Sequence, residues 1–61
     1  MVAVNVKTNA RRTLPDLTAE EHEEIVYTME DICTGPCECR VEVDNWCQHG
    51  WPSRLMAADL I

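Results

Sequence analysis

Four cysteines and a histidine crowded into residues 33–49 constrain this chain more than any other feature. From Cys33 through Cys37, Cys39 and Cys47 to His49 the spacing is C-x3-C-x-C-x7-C-x-H. Thiolates and imidazole are the ligands that zinc takes in closed tetrahedral sites. Short loops bring such ligands together without the entropic cost of closing long ones. The spacing differs from the paired C-x2-C of a zinc ribbon and from the histidine spacing of a two-histidine finger. What points to a metal is the clustering: the thiols follow a helix stop, flank a turn and return after an alternating stretch. The predicted ligands are Cys33, Cys37, Cys39 and Cys47 around one structural Zn²⁺. His49 can substitute for one of them.

A chain of 61 residues needs such a supplement. At this size folding buries only about 60% of the surface that the unfolded chain exposes. With no Phe, one Tyr and two Trp, the core is small and mostly aliphatic. The expectation is a single small α+β domain over 1–61, stabilised by zinc, with 33–49 as its metal-binding core. Two disulfides are the rival staple, with three possible pairings. Residues 1–6 lack the basic start and long apolar centre of a signal peptide, and no apolar run reaches the length of a membrane span. The chain is therefore expected to be cytoplasmic, where lasting disulfides are rare. An iron–sulfur cluster also takes four cysteines, but this spacing lacks the ferredoxin run. A redox site lacks the Cys-x-x-Cys pattern. A catalytic zinc would use three cysteines and a water, with Glu38 or Glu42 as base, yet so short a chain encloses a substrate poorly.

The elements around the cysteines follow from local signals. Thr18-Ala19-Glu20-Glu21 is a capping box, and Ile25, Met29, Ile32 and Cys33 follow at helical spacing, up to Gly35 and Pro36. This predicts a central helix over about 18–33. Cys39, Val41 and Val43 alternate with Arg40, Glu42 and Asp44, and Asp44-Asn45 can turn the chain, so a hairpin is predicted over about 38–48. Ser53 can cap a short C-terminal helix over about 53–60. Val2, Val4 and Val6 alternate with Ala3 and Asn5, which predicts an edge strand at 2–6 paired with that hairpin. Residues 7–17, rich in turn formers around Pro15, read as a linker.

Charge narrows the function classes. The net charge is −6, with three cations and no acid in residues 1–15 and two cations against eleven acids in the rest. Such a balance disfavours phosphate backbones and suits basic protein surfaces. No phosphate-binding glycine loop and no nucleophile in a recognisable setting is present. The expected function is therefore a small acidic zinc-binding protein-interaction module, an accessory or inhibitory protein acting by stoichiometric binding and not an enzyme. Its larger protein partner would meet Glu20, Glu23 and Glu24 on the helix, or an apolar C-terminal edge at Trp51 and Leu55. The same edge residues, with Met56, Leu60 and Ile61, can instead close the core. Trp46 and Trp51 read as shielding and packing groups. His22, about 16 Å along the helix from Cys33, is too far to share its metal. The alternative is a nucleic-acid-binding zinc module in which Lys7, Arg11 and Arg12 contact phosphates.

Overall fold

The computed structural model describes residues 1–60; Ile61 lies outside them. The elements are β1 (Val2–Val4), β2 (Arg11–Thr13), α1 (Ala19–Thr28), β3 (Glu30–Ile32), β4 (Arg40–Glu42) and α2 (Arg54–Ala57). β1 pairs antiparallel with β2, and β3 antiparallel with β4, as two separate two-stranded sheets. A two-stranded sheet is barely stable by itself, so each relies on what packs against it. Two isolated bridges, Cys33 with Ser53 and Trp46 with Pro52, tie the C-terminal segment to the middle of the chain. The small α+β class expected from the sequence is what forms.

The N-terminal segment is built differently from the expectation. The strand is Val2–Val4, and its mate is β2, which lies inside the presumed linker 7–17. Asn5 causes this. Its Oδ1 accepts from the Lys7 amide (2.8 Å) and the Thr8 amide (3.1 Å), a side chain imitating a turn carbonyl. Asn9 then takes a left-handed φ of 62°, and the Asn5 amide donates to the Ala10 carbonyl at 2.8 Å. The turn formers thus reverse the chain tightly. Ala3 faces inward opposite Arg12, while Val2 and Val4 face out.

The helix starts as predicted and stops early. Thr18 Oγ1 accepts from the Glu21 amide, and Glu21 Oε1 accepts from the Thr18 amide, so both halves of the capping box form. Its C-cap is Met29, left-handed at φ 57°, rather than a residue near Gly35. The stretch 30–33 therefore leaves the helix: β3 takes residues 30–32, and Cys33 bridges Ser53. The reason is tertiary. Asp31 has a fully enclosed side chain that accepts from Arg54 Nε at 2.7 Å, from the Leu55 amide at 3.1 Å and from its neighbour Ile32 at 2.7 Å. Those bonds and the pairing with β4 outweigh the weak helix propensity of a segment already carrying Ile25, Val26, Tyr27 and Thr28.

The predicted hairpin over 38–48 is also replaced. Its outgoing strand exists as β4, but the partner is β3, upstream, with Glu30, Asp31 and Ile32 opposite Glu42, Val41 and Arg40. The Asp44-Asn45 region does turn the chain, the Asn45 amide donating to the Glu42 carbonyl at 3.1 Å. The return arm is a single bridge from Trp46 to Pro52. Ser53 caps α2, accepting from the Met56 amide at 3.2 Å, but the helix covers 54–57 and not 53–60. Asp59 is left-handed (φ 59°), and the Leu60 amide reaches back to the Leu55 carbonyl, the closing pattern of a Schellman motif.

Two small buried groups make the core. Ala3, Cys33, Cys47 and Trp51 form one, flanked by Leu14, Cys39, Val41 and Ala57. Ile25, Val43 and Leu55 form the other, flanked by Leu17. Trp51 and Leu55 are thus interior residues, so the C-terminal edge closes the core and does not present them to a partner. Asp31→Ala should lower unfolding stability by about 3 kcal/mol, because it strands the Arg54 guanidinium and the Leu55 amide. Urea denaturation of the variant against the parent protein checks this.

Candidate metal centre

The cysteines sit on two tight loops. The first runs from the end of β3 to the start of β4 and carries Cys33, Cys37 and Cys39. It folds around the Cys33 sulfur: the Cys39 amide donates to Cys33 Sγ at 3.2 Å, and the Cys33 amide donates to the Cys39 carbonyl at 2.8 Å. The Glu38 amide closes a turn onto the Gly35 carbonyl, and Glu38 itself is left-handed at φ 49°. The second loop carries Cys47 and His49. The Cys47 amide donates to the Trp51 carbonyl at 2.8 Å, and Gly50, at φ 94°, donates back to the Cys47 carbonyl at 2.9 Å.

The N-terminal hairpin clamps both loops. Arg12 Nη1 donates to the Thr34 carbonyl in the first loop at 2.6 Å. In the second, Asn5 Nδ2 donates to the His49 carbonyl at 2.9 Å, Lys7 Nζ to the Gln48 carbonyl at 2.6 Å, and the Val6 amide to the Gly50 carbonyl at 2.9 Å. Asn5 is buried and uses both ends of its amide. It is the residue that sequence reasoning missed. The available signal was an Asn in an otherwise apolar alternation, where an Asx turn ends a strand.

The four thiol sulfurs converge. All lie within 4.8 Å of one another. Cys33 and Cys37 are 3.4 Å apart, and Cys37 and Cys47 are 3.8 Å apart. Around one zinc with Zn–S bonds near 2.3 Å, tetrahedral geometry sets neighbouring sulfurs about 3.8 Å from each other. The group can therefore coordinate a single metal ion. Cys33 and Cys47 are buried, Cys39 is partly covered and Cys37 is exposed; all four are free. His49 stands at the rim, its Nδ1 3.6 Å from Cys39 Sγ.

The four thiols ionise as coupled acids. For Cys47, burial pushes the thiol pKa up, but the Trp51 and His49 amides and the neighbouring Cys33 and Cys37 thiols outweigh it and bring the pKa down to about 6. Cys39 is pushed up to about 12, first by its hydrogen bond with the Cys37 thiol, then by loss of solvent and by repulsion from the other sulfurs. Cys33 is raised as well, chiefly by burial. One thiolate forms readily and makes the next harder to form, as expected of coupled acids at short range. Four thiolates together require a positive ion among them.

The remaining predicted residues lie away from this centre. Glu20, Glu23 and Glu24 are exposed on α1, which carries no basic residue in its last turn. Of the cations proposed for phosphate contacts, Lys7 and Arg12 bond to loop carbonyls, and Arg11 is exposed. No helix among the described residues is long and apolar enough to cross a membrane. No protein-family model, curated protein or solved structure matches the chain.

Gly35 sits in the first loop beneath the Trp51 ring. A Cβ there would collide with Cδ1 and Cγ of Trp51. The ring is buried and has no room to retreat. Gly35→Ala should therefore destabilise the protein by about 1–3 kcal/mol through overpacking. Thermal denaturation followed by Trp fluorescence measures it directly.

Proposed function

We propose that this protein is a zinc-stabilised interaction module, with one Zn²⁺ held by Cys33, Cys37, Cys39 and Cys47. The observation that carries the reading is the convergence of four sulfurs on one point. Two disulfides require only that sulfurs approach in pairs. A cluster of several metal atoms needs its ligands spread around a larger body than these sulfurs enclose. Zn²⁺ accepts four thiolates in a tetrahedron with no preference of its own for another geometry. Four protein ligands leave no position for a reacting water, so the ion in this reading is structural and takes no part in catalysis. His49 then serves as a hydrogen-bond donor to the Cys39 thiolate rather than as a ligand, in the manner of groups that steady metal ligands from outside.

The module acts by stoichiometric binding to a larger protein, as an accessory or inhibitory subunit, in the reducing cytoplasm that keeps thiols available. The acidic exposed face of α1 supports a basic partner surface. The nucleic-acid reading loses ground because Lys7 and Arg12 are already bonded within the molecule.

Elemental analysis with native mass spectrometry should find one zinc per chain. A metal-free mass lower by about two hydrogens per bridge would mean disulfides instead. Cys37→Ser should lose stoichiometric zinc and the cooperative unfolding transition, because a zinc-closed fold of this size depends on its ion. Retention of both would remove Cys37 from the site. Affinity capture with the zinc-loaded protein should return a saturable protein partner, and its absence would count against the interaction role.

A further inference from the structure

We propose that the cleft between α1 and the β3–β4 hairpin receives an arginine side chain from a basic segment of the partner, an assignment that rests on the interaction reading above. The first observation is a like-charge pair. The hairpin register sets Glu30 directly opposite Glu42. Both are exposed. Facing residues in an antiparallel pair have Cβ atoms about 4.5–5.5 Å apart, and like charges there destabilise the sheet. Among the described residues, Arg40 is the cation that reaches this pair, at 3.9 Å from Glu30, with both side chains largely in solvent. Such a contact screens little. Arg54 is committed elsewhere, to Asp31 at 2.7 Å and Glu21 at 3.4 Å.

The second observation is the shape beside that pair. A hollow of about 370 Å³ lies between α1 and the hairpin, with Ile25 and Ile32 in its lining and Glu24 and Glu30 among its acids. A neighbouring hollow of about 230 Å³ shares Glu30 and Arg40 and adds Val41 and Glu42. Of the acids in the two linings, Asp31 and Glu21 are paired with Arg54, which leaves Glu24, Glu30 and Glu42 against the single guanidinium of Arg40. An apolar floor under a carboxylate rim suits one side chain above others. The methylene stem of arginine covers isoleucine while its charged head stays at the rim. The planar fork can bond two carboxylates at once, which lysine's single ammonium cannot reproduce. A bare metal cation would leave the apolar floor unused.

The test is an NMR titration of the isotopically labelled, zinc-loaded full chain with acetyl-Gly-Arg-Val-Arg-Gly-amide at low salt. A second peptide carries citrulline, the neutral isostere, at both arginine positions. The expected result is saturable shifts confined to amides around Glu24, Thr28, Glu30, Ile32 and Glu42. Citrulline should weaken binding by about tenfold or more. Glu24→Gln with Glu42→Gln should do the same, whereas Glu20→Gln with Glu23→Gln should change affinity by no more than about twofold. Glu42→Gln removes the opposed charge, so the double variant should keep or raise the parent's thermal midpoint, and weaker binding with an unchanged midpoint is not a folding defect. Absence of saturation, equal binding of the citrulline peptide, or shifts spread over the outer face of α1 would overturn the proposal. A protein partner captured in spite of such a result would leave the interaction reading standing and remove the cleft from it.

Discussion

Four sulfur atoms within 4.8 Å of one another set the terms for the rest of this molecule. As thiols they pack as small apolar groups, and two of them, Cys33 and Cys47, belong to the buried core with Ala3 and Trp51. As acids they are unequal: the hydrogen bond with the Cys37 thiol, more than repulsion, makes Cys39 hold its proton, while the Trp51 and His49 amides and the neighbouring thiols let Cys47 give its own up. The core and the metal-competent group are therefore the same place. In a larger protein a metal site can be an addition to a core that stands without it. Here the sulfurs occupy much of the interior that 61 residues can make, so an ion bound by them would act on the same contacts as the packing.

Holding those sulfurs falls to polar bonds from parts of the chain far away in sequence. Arg12 and Asn5 carry the N-terminal hairpin onto both cysteine loops through backbone carbonyls that would otherwise lack partners. Asp31 does the equivalent on the opposite side, joining β3 to α2 through Arg54 and the Leu55 amide. Ser53, wholly enclosed, bonds the Val43 carbonyl at 2.6 Å and caps α2. No buried side-chain polar atom among the described residues is left without a partner. A core with so few large apolar side chains gains its uniqueness from such networks, where each missing bond would cost the desolvation of the group left behind.

The cysteine cluster and the small α+β class were legible because they rest on local spacing and residue chemistry. So were the Thr18 capping box and the Ser53 cap, whose partners lie three residues away. The elements that escaped are those decided at a distance. Nothing near Glu30 announces a strand; the reason is the bond to Asp31 from Arg54, twenty-three residues further on. The pairing of β4 with β3 rather than with a returning arm follows from the same tie. The 7–17 segment read as a linker because turn formers look alike whether they loosen a chain or reverse it. The bonds of Asn5, Val6 and Lys7 to His49, Gly50 and Gln48 show that this turn is clamped. Trp51 and Leu55 were open between surface and interior, and the Cys33–Ser53 bridge, by laying the C-terminal segment across β3, closes them inside.

The placement of the acids completes this picture. Asp31 is buried where its charge is fully used, bonded to a guanidinium and two amides. Glu21 is spent on the helix cap, which lowers its pKa first through the Thr18 amide and hydroxyl. Glu30 and Glu42, by contrast, face one another on a short exposed hairpin, in a molecule with little stability to spare. Exchanging either for a neutral residue would relieve the repulsion without touching the core or the sulfurs. The hairpin whose connecting loop carries Cys33, Cys37 and Cys39 is thus the one that sets these two exposed carboxylates face to face. β3 and β4 are joined by the loop that the cysteines close, so whatever holds the sulfurs together also holds Glu30 opposite Glu42.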